Sequence, residues 1–287
     1  MPCDTPFFAT SKRGESVPVP CGKCAPCKKR RVESWVFRLR QQQKVSVHAH
    51  FVTLTYGTHC VPISVNGFLT LRKADFQNFM KRLRKLTTND LKYYACGEYG
   101  TRHRRPHYHA IIFNCPSSDL FAQAWTLGGD QLGGVHVGDV TSDSIAYTMK
   151  YIDKSNFKFA HGRDDREKEF SLMSKGLGKN YLTDDVIKYH KSSVDRLYVT
   201  ETLGRRIAMP RYYRKKIYTD FELDLQFQHI QNVAALNDVQ DRRKFDLLYP
   251  NVDSSVLTYT SWKYSQIEGR RLTFNAQAAL KPRDKPI

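Results

Sequence analysis

Alternating apolar and polar positions mark residues 45–56, VSVHAHFVTLTY, as a strand rich in Val, Phe, Thr and Tyr. Residues 91–99 (LKYYACGEY) and 107–113 (HYHAIIF) have the same character, and the GTRHRRP between them makes the two a hairpin with a basic loop. Between the first strand and this hairpin, Phe76, Phe79, Met80, Leu83 and Leu86 recur at helical spacing over 73–86, with bases on the other face. A short helix from Asp119 to Trp125 follows, then a Gly-rich turn and a brief strand, GVHVGDV. Residues 143–154, DSIAYTMKYIDK, read as a helix with Ser142 or Asp143 as N-cap. This order predicts an α+β fold, a central antiparallel sheet with flanking helices.

The ends of the chain are less periodic. Residues 1–44 read as a basic, cysteine-bearing arm that ends in a helix, Arg30 to Gln43, with Trp35 and Leu39 on one face. Beyond about residue 160 the pattern is irregular and basic; it contains GRRIAMPRYYRKKIY at 204–218 and a long helix from Asp220 to Leu248. The expected organisation is therefore an arm at 1–44, a sheet domain at 45–160, and a basic, helical C-terminal region at 161–287 packed on it.

Composition narrows the partner class. With 40% hydrophobic and 26% charged residues, the 287-residue chain reads as soluble and globular. It has no apolar run of roughly 18 residues to span a membrane, and its N-terminus lacks the apolar core of a secretory signal. A reducing cytoplasm is expected, so the seven cysteines should be free thiols or metal ligands. A net charge of +18 favours polyanions. Acidic membranes would also attract that charge, but 16 Tyr and 16 Phe interleaved with the bases favour nucleic acid, because rings stack on unpaired bases.

Chemistry concentrates in two short motifs. On a strand, His107 and His109 of His107-Tyr108-His109 point to one face, where two neutral imidazoles can hold a divalent cation. The spacing alone decides nothing, since His48-Ala49-His50 has it too. Glu98 on the partner strand of the hairpin distinguishes the first pair, offering a two-His, one-carboxylate metal site. The second motif is Tyr147-Thr148-Met149-Lys150-Tyr151, continuing to Lys154. One helical turn separates the two phenols, so they share a face, as do Lys150 and Lys154. Read separately, these are surface histidines and core tyrosines. Read together they make a mechanism. A divalent ion on His107, His109 and Glu98 polarises a phosphodiester, and a tyrosine attacks it to give a 5′-phosphotyrosine and a free 3′-OH. A neighbouring Lys favours the phenolate over a phenol of pKa near 10.

In their order, FVTLTY (51–56), Glu98…His107-Tyr108-His109 and Tyr147…Lys150-Tyr151 resemble the three motifs of HUH rolling-circle replication initiators with two catalytic tyrosines. PCGKCAPCKKRR…W at 20–35 and PRYYRKK at 210–216 resemble the gokushovirus initiators within the microvirus family. The resemblance implies a palm-like sheet, Mg2+ or Mn2+ as cofactor, His107 and His109 as ligands, and Tyr147 and Tyr151 as nucleophiles. It further implies nicking of single-stranded viral origin DNA and release of circular genomes, in the cytoplasm of a bacterial host. The chain has no GxxxxGK[ST] loop, so a host helicase and replication machinery are expected partners.

Two features stand outside those motifs. Cys21, Cys24 and Cys27 form CxxCxxC, with Cys3 as a candidate fourth ligand for a structural Zn2+ or, equally, as free thiols. Arg104, Arg105, Lys154, Arg211, Tyr212, Arg214 and Lys215 are candidate DNA contacts, with Tyr212 or Tyr213 stacking on bases. Two rival readings remain: a two-tyrosine transposase, which can share the histidine pair and a cysteine cluster, and a non-catalytic single-strand-binding protein.

Overall fold

A computed structural model describes residues 3–10, 14–100, 102–141, 144–145, 148, 162–201, 204–253 and 255–280, the last four of these by backbone. The chain divides into two compact units: Val32–Val186, and the residues up to Arg31 together with those from Ile187 onward.

Elements follow in chain order. A hairpin of β1 (Phe7–Thr10) and β2 (Ser16–Val19) precedes α1 (Ala25–Lys44). Next come β3 (Ala49–Thr55), α2 (Lys73–Lys85), β4 (Lys92–Tyr99), β5 (Pro106–Phe113), α3 (Asp119–Ala124), a small hairpin of β6 (Thr126–Leu127) and β7 (Asp130–Gln131), β8 (Val135–Asp139) and β9 (Phe170–Met173). The remainder holds α4 (Asp184–Lys191), β10 (Tyr198–Thr200), β11 (Arg206–Ala208), α5 (Arg211–Ile217), α6 (Asp220–Leu248) and α7 (Tyr259–Leu280). Five antiparallel strands in the order β8-β3-β5-β4-β9 form the central sheet, so the α+β architecture is the one the pattern predicts.

The sheet is covered on both faces, which is why β5 is buried along almost its whole length. On one face, Val52, Leu54, Tyr108, Ala110 and Ile112 pack with Phe76, Phe79, Met80 and Leu83 of α2. On the other, Phe51, Tyr94, Ile111 and Phe113 pack with Leu39 of α1 and with Ile145. Each fully buried Leu, Ile or Phe side chain contributes about 1.5–3 kcal/mol to this arrangement. Gly97 sits where the first face is tightest: a Cβ there would lie 2.9 Å from the Phe170 ring and 3.1 Å from Leu71. A buried polar network locks the same face, with Tyr56 donating to Asp75 at 2.7 Å, its hydroxyl 2.7 Å from that of Tyr108, and Tyr108 donating to the Arg72 carbonyl at 2.8 Å.

Several elements fall where hydrophobic periodicity is silent. The edge strand β9 follows the charged run Arg163–Glu169, which straps onto the loop before α2. Asp165 accepts from Ser64 at 2.5 Å and from the Asn66 N–H at 3.1 Å, and Glu167 accepts from the Lys73 N–H at 3.1 Å. The N-terminal arm contains the β1–β2 hairpin, and α1 begins at Ala25 rather than Arg30. Its first turn closes with the Lys28 N–H on the Cys24 carbonyl at 3.0 Å, and Pro26 occupies a first-turn position that needs no N–H donor. The long helix starts where predicted, because Thr219 and Glu222 form a reciprocal capping box. A second helix of similar length, α7, follows it unannounced. Ser142 and Asp143 lie outside the described residues. The flanking Thr141 and Ser144 exchange backbone and hydroxyl hydrogen bonds at 2.8 and 3.1 Å, and Ile145 N–H bonds the Thr141 carbonyl at 3.0 Å, opening a helical turn.

Candidate metal centre

Register in the sheet brings the acid and the two imidazoles together. Glu98 on β4 lies directly opposite His107 on β5, and His109 lies opposite Thr53 on β3. Facing residues in an antiparallel pair share a face, so Glu98, His107, His109 and Thr53 all point to the side on which Ile145 packs. Candidate ligand atoms of Glu98, His107 and His109 lie within 4.8 Å of one another. Glu98 Oε1 is 2.6 Å from His107 Nε2 and 3.1 Å from His109 Nε2. The two imidazole rings are nearly perpendicular, with centroids 4.9 Å apart.

The outer nitrogens fix what the inner ones offer. His107 Nδ1 is 3.1 Å from the Arg105 carbonyl, an acceptor only, so this nitrogen donates. His109 Nδ1 is 2.9 Å from Thr53 Oγ1, and the ring stacks on Phe51 with centroids 5.6 Å apart. Both Nε2 atoms converge on one oxygen of Glu98, and the role of His109 Nδ1 toward the Thr53 hydroxyl follows the ring's tautomer. Since His107 Nδ1 already donates, the 2.6 Å contact of its Nε2 with the carboxylate requires a positive charge between them, a proton or a metal cation. Glu98 is 2% exposed and His109 6%, so water offers little alternative. Burial opposes charge on Glu98, but the hydrogen bonds from His107 and His109 outweigh it and hold the carboxyl below its ordinary range. Two imidazoles and one carboxylate suit Mg2+ or Mn2+ less tightly than softer ions, yet the donor set accommodates either.

The other predicted residues scatter. His50, of the rival pair, bonds the Cys115 carbonyl through Nε2 at 3.1 Å, and among the described residues neither it nor His48 joins a metal-ligating group. Thr53, invisible as a site residue in the sequence, is placed by cross-strand register alone. Arg105 donates to the Tyr56 carbonyl at 2.8 Å and so fastens the hairpin loop, while Arg104 is exposed in the left-handed region at φ 51°. Tyr147, Lys150, Tyr151 and Lys154 lie outside the described residues. On α5, Arg211 and Lys215 are exposed, Tyr212 and Arg214 are half-buried, and Tyr213 is fully buried. Burial thus removes Tyr213 as a base-stacking surface and lowers the pKa of the Arg214 guanidinium.

Cys3, Cys21, Cys24 and Cys27 gather in the other unit, with their Sγ atoms within 4.8 Å of one another. The Thr5 hydroxyl and the Cys24 and Lys23 N–H groups hold the Cys21 thiol down to about 5, whereas burial pushes Cys27 up to about 12. Cys60, Cys96 and Cys115 lie outside this group. Among the described residues no helix is long and apolar enough to cross a membrane.

Comparison with known proteins fits this geometry. Residues 49–156 match the family described as replication-associated protein ORF2/G2P, a span from β3 through β8 that contains the triad, Tyr147 and Tyr151. The chain is 29% identical over 228 residues to Replication-associated protein VP4 of Bdellovibrio phage phiMH2K, covering 71% of this chain and 69% of that one. It is 28% identical over 231 residues to Replication-associated protein ORF2 of Spiroplasma virus 4, covering 74% and 72%. Against Replication-associated protein ORF4 of Chlamydia phage 1 it is 24% identical over 298 residues, covering 93% and 71%. No solved structure matches the chain.

Proposed function

We propose that this chain, which belongs with the phage replication-associated proteins of the microvirus rolling-circle type, initiates replication by cutting one strand of viral origin DNA and keeping the 5′ end on a tyrosine. The observation that carries this reading is the convergence of Glu98, His107 and His109 on one face of the sheet, ahead of Tyr147 and Tyr151 in the chain. A bound Mg2+ or Mn2+ supplies Lewis-acid polarisation of the scissile phosphate.

The protein's own groups do the rest. Thr53 and the Arg105 carbonyl orient the imidazoles, and Phe51 shields one of them from water. A tyrosine phenolate, favoured by Lys150 nearby in sequence, attacks phosphorus in line. The P–O3′ bond breaks as the P–O(Tyr) bond forms, and the departing 3′ alkoxide takes up from water a proton equal to the one the phenol lost, leaving a 3′-OH end. Rejoining reverses this: a 3′-OH attacks the phosphotyrosine and the phenolate departs, so no nucleotide cofactor is consumed. Two tyrosines allow a second cut while the first DNA end is still attached, which ends one round and begins the next. Basic side chains hold the single strand, a host helicase opens the duplex, and the reaction belongs to the cytoplasm of the bacterial host.

Incubation of the protein with single-stranded origin DNA and manganese should yield a covalent protein–DNA band on a denaturing gel. Tyr147→Phe and Tyr151→Phe should each leave part of it, and the double variant none. No adduct with either metal would refute the reading, and an adduct on the double variant would refute the choice of nucleophile.

A further inference from the structure

The structure assigns a second, structural metal site: we infer that Cys3, Cys21, Cys24 and Cys27 bind one Zn2+ that fastens the β1–β2 hairpin to the first turn of α1. This site is independent of the nicking reading.

Each ligand is delivered by a separate piece of local structure. Cys21 opens a tight turn whose next residue, Gly22, has φ of 72°, a left-handed conformation glycine adopts without strain. That turn is tied down by Arg31 donating to the Gly22 carbonyl at 3.2 Å. Cys24 is the N-cap of α1, since its carbonyl accepts from the Lys28 N–H, and Cys27 stands three residues on in the first turn. Cys3 is remote in sequence and arrives through the hairpin. Phe7 pairs with Val19, and the short irregular segment 3–6 before it brings Cys3 to the Cys21 turn. The Cys21 N–H then donates to Cys3 Sγ at 3.2 Å.

The dimensions fit a tetrahedral ion. Cys3 Sγ and Cys24 Sγ are 3.7 Å apart, close to the edge of about 3.8 Å expected for four sulfurs at about 2.3 Å from zinc. Backbone N–H groups of Lys23 and Cys24 donate to Cys21 Sγ at 3.4 and 3.3 Å, the outer-shell bonds that orient and stabilise a ligating thiolate. Four thiolates and Zn2+ carry a net charge of −2, and Lys23, Lys28, Lys29, Arg30 and Arg31 follow in the same stretch of chain.

Apolar packing does not explain the cluster. Among the described residues, neither large hydrophobic cluster draws on residues 3–24. Phe7 and Phe8 are 52% and 70% exposed, so the hairpin buries little of its own surface. A hairpin of two four-residue strands without a core is marginal in water, and a thiolate-bound metal is a known substitute for such a core.

Metal analysis of the purified full-length protein should find about one zinc per chain that survives dialysis against magnesium. Cobalt(II) substituted into the same protein should give thiolate-to-metal charge-transfer bands and the intense visible bands of a tetrahedral site. Mass-spectrometric alkylation should show Cys3, Cys21, Cys24 and Cys27 protected and Cys60 labelled, with the four exposed once zinc is stripped. Cys24→Ser should lose the zinc, whereas Cys60→Ser keeps it. The assignment fails if wild-type protein neither retains nor takes up zinc, or if the four thiols alkylate as fast as Cys60. It also fails if iron with acid-labile sulfide occupies the site instead. The wild-type cobalt and alkylation measurements decide the matter even if Cys24→Ser does not fold.

Discussion

The Glu98–His107–His109 group and the four-cysteine group both converge on a point, but they are held by opposite means. The first is fixed by strand register in a sheet with apolar packing on both faces, so its geometry exists without any ion. The second joins turns and a short hairpin with scant apolar cover, so its geometry follows from what the sulfurs hold. A preformed site serves chemistry, because its ligands need no rearrangement when substrate arrives. A site that organises its own surroundings serves folding. Sequence spacing does not separate the two cases; burial and the source of positional constraint do.

The largest effect that would break this contrast is on local stability. Stripping zinc should raise amide hydrogen exchange in β1, β2 and the first turn of α1 by several orders of magnitude, the scale expected when structural zinc contributes about 10 kcal/mol. Exchange in β4 and β5 should stay unchanged when magnesium or manganese is withheld. If the β4–β5 amides also open without divalent ion, the triad is not preformed and the comparison collapses.

Next in size is catalysis. Replacing both His107 and His109 by Ala should reduce adduct formation roughly a hundredfold or more, as expected on losing groups that stabilise transition-state charge. Salt-sensitive binding of single-stranded DNA should persist, because phosphate contacts elsewhere supply it. Measuring both on one preparation separates chemistry from misfolding; parallel loss would mean the sheet had been damaged. A finer test is Thr53→Val, which keeps the shape of the side chain and removes the hydroxyl beside His109 Nδ1. Manganese affinity should fall about 10- to 100-fold with little change in melting temperature. An unchanged affinity would show that Phe51 stacking alone orients the ring.

How much of this was legible beforehand follows from the same physics. Strands β3, β4, β5 and β8 and helix α2 show in the sequence because each buries a face, and burial writes a period of two or of about 3.6 residues. Glu98 and His107 were readable because they flank a short hairpin loop. Thr53 was not, since its partner lies 56 residues away and only register joins them. Strand β9 escaped because it is a short edge strand behind a charged strap, and α7 because its polar residues carry little periodicity. Cys3, a candidate fourth ligand to the CxxCxxC run, has no spacing signal of its own; the hairpin that brings it to Cys21 is too short and too exposed to leave a pattern.

The smallest predicted effect concerns α5, in the unit that also holds the cysteines. Tyr213 and Ile217, four residues apart, are buried, while Arg211 and Lys215, also four apart, form an exposed cationic strip. If that strip tracks a single strand, each cation removed should lower the slope of log affinity against log salt by about 0.7. Arg211→Ala with Lys215→Ala should then reduce the slope by about 1.4 in fluorescence anisotropy with oligonucleotides, equally for any base sequence. Tyr212 is half-buried and would act through stacking, so Tyr212→Ala should weaken binding by about 1–3 kcal/mol while leaving the slope intact. The two variants thus separate charge from stacking on one helix. A double variant with an unaltered slope would show that α5 meets no phosphate, and the basic strip would then be a solvated face beside a buried tyrosine.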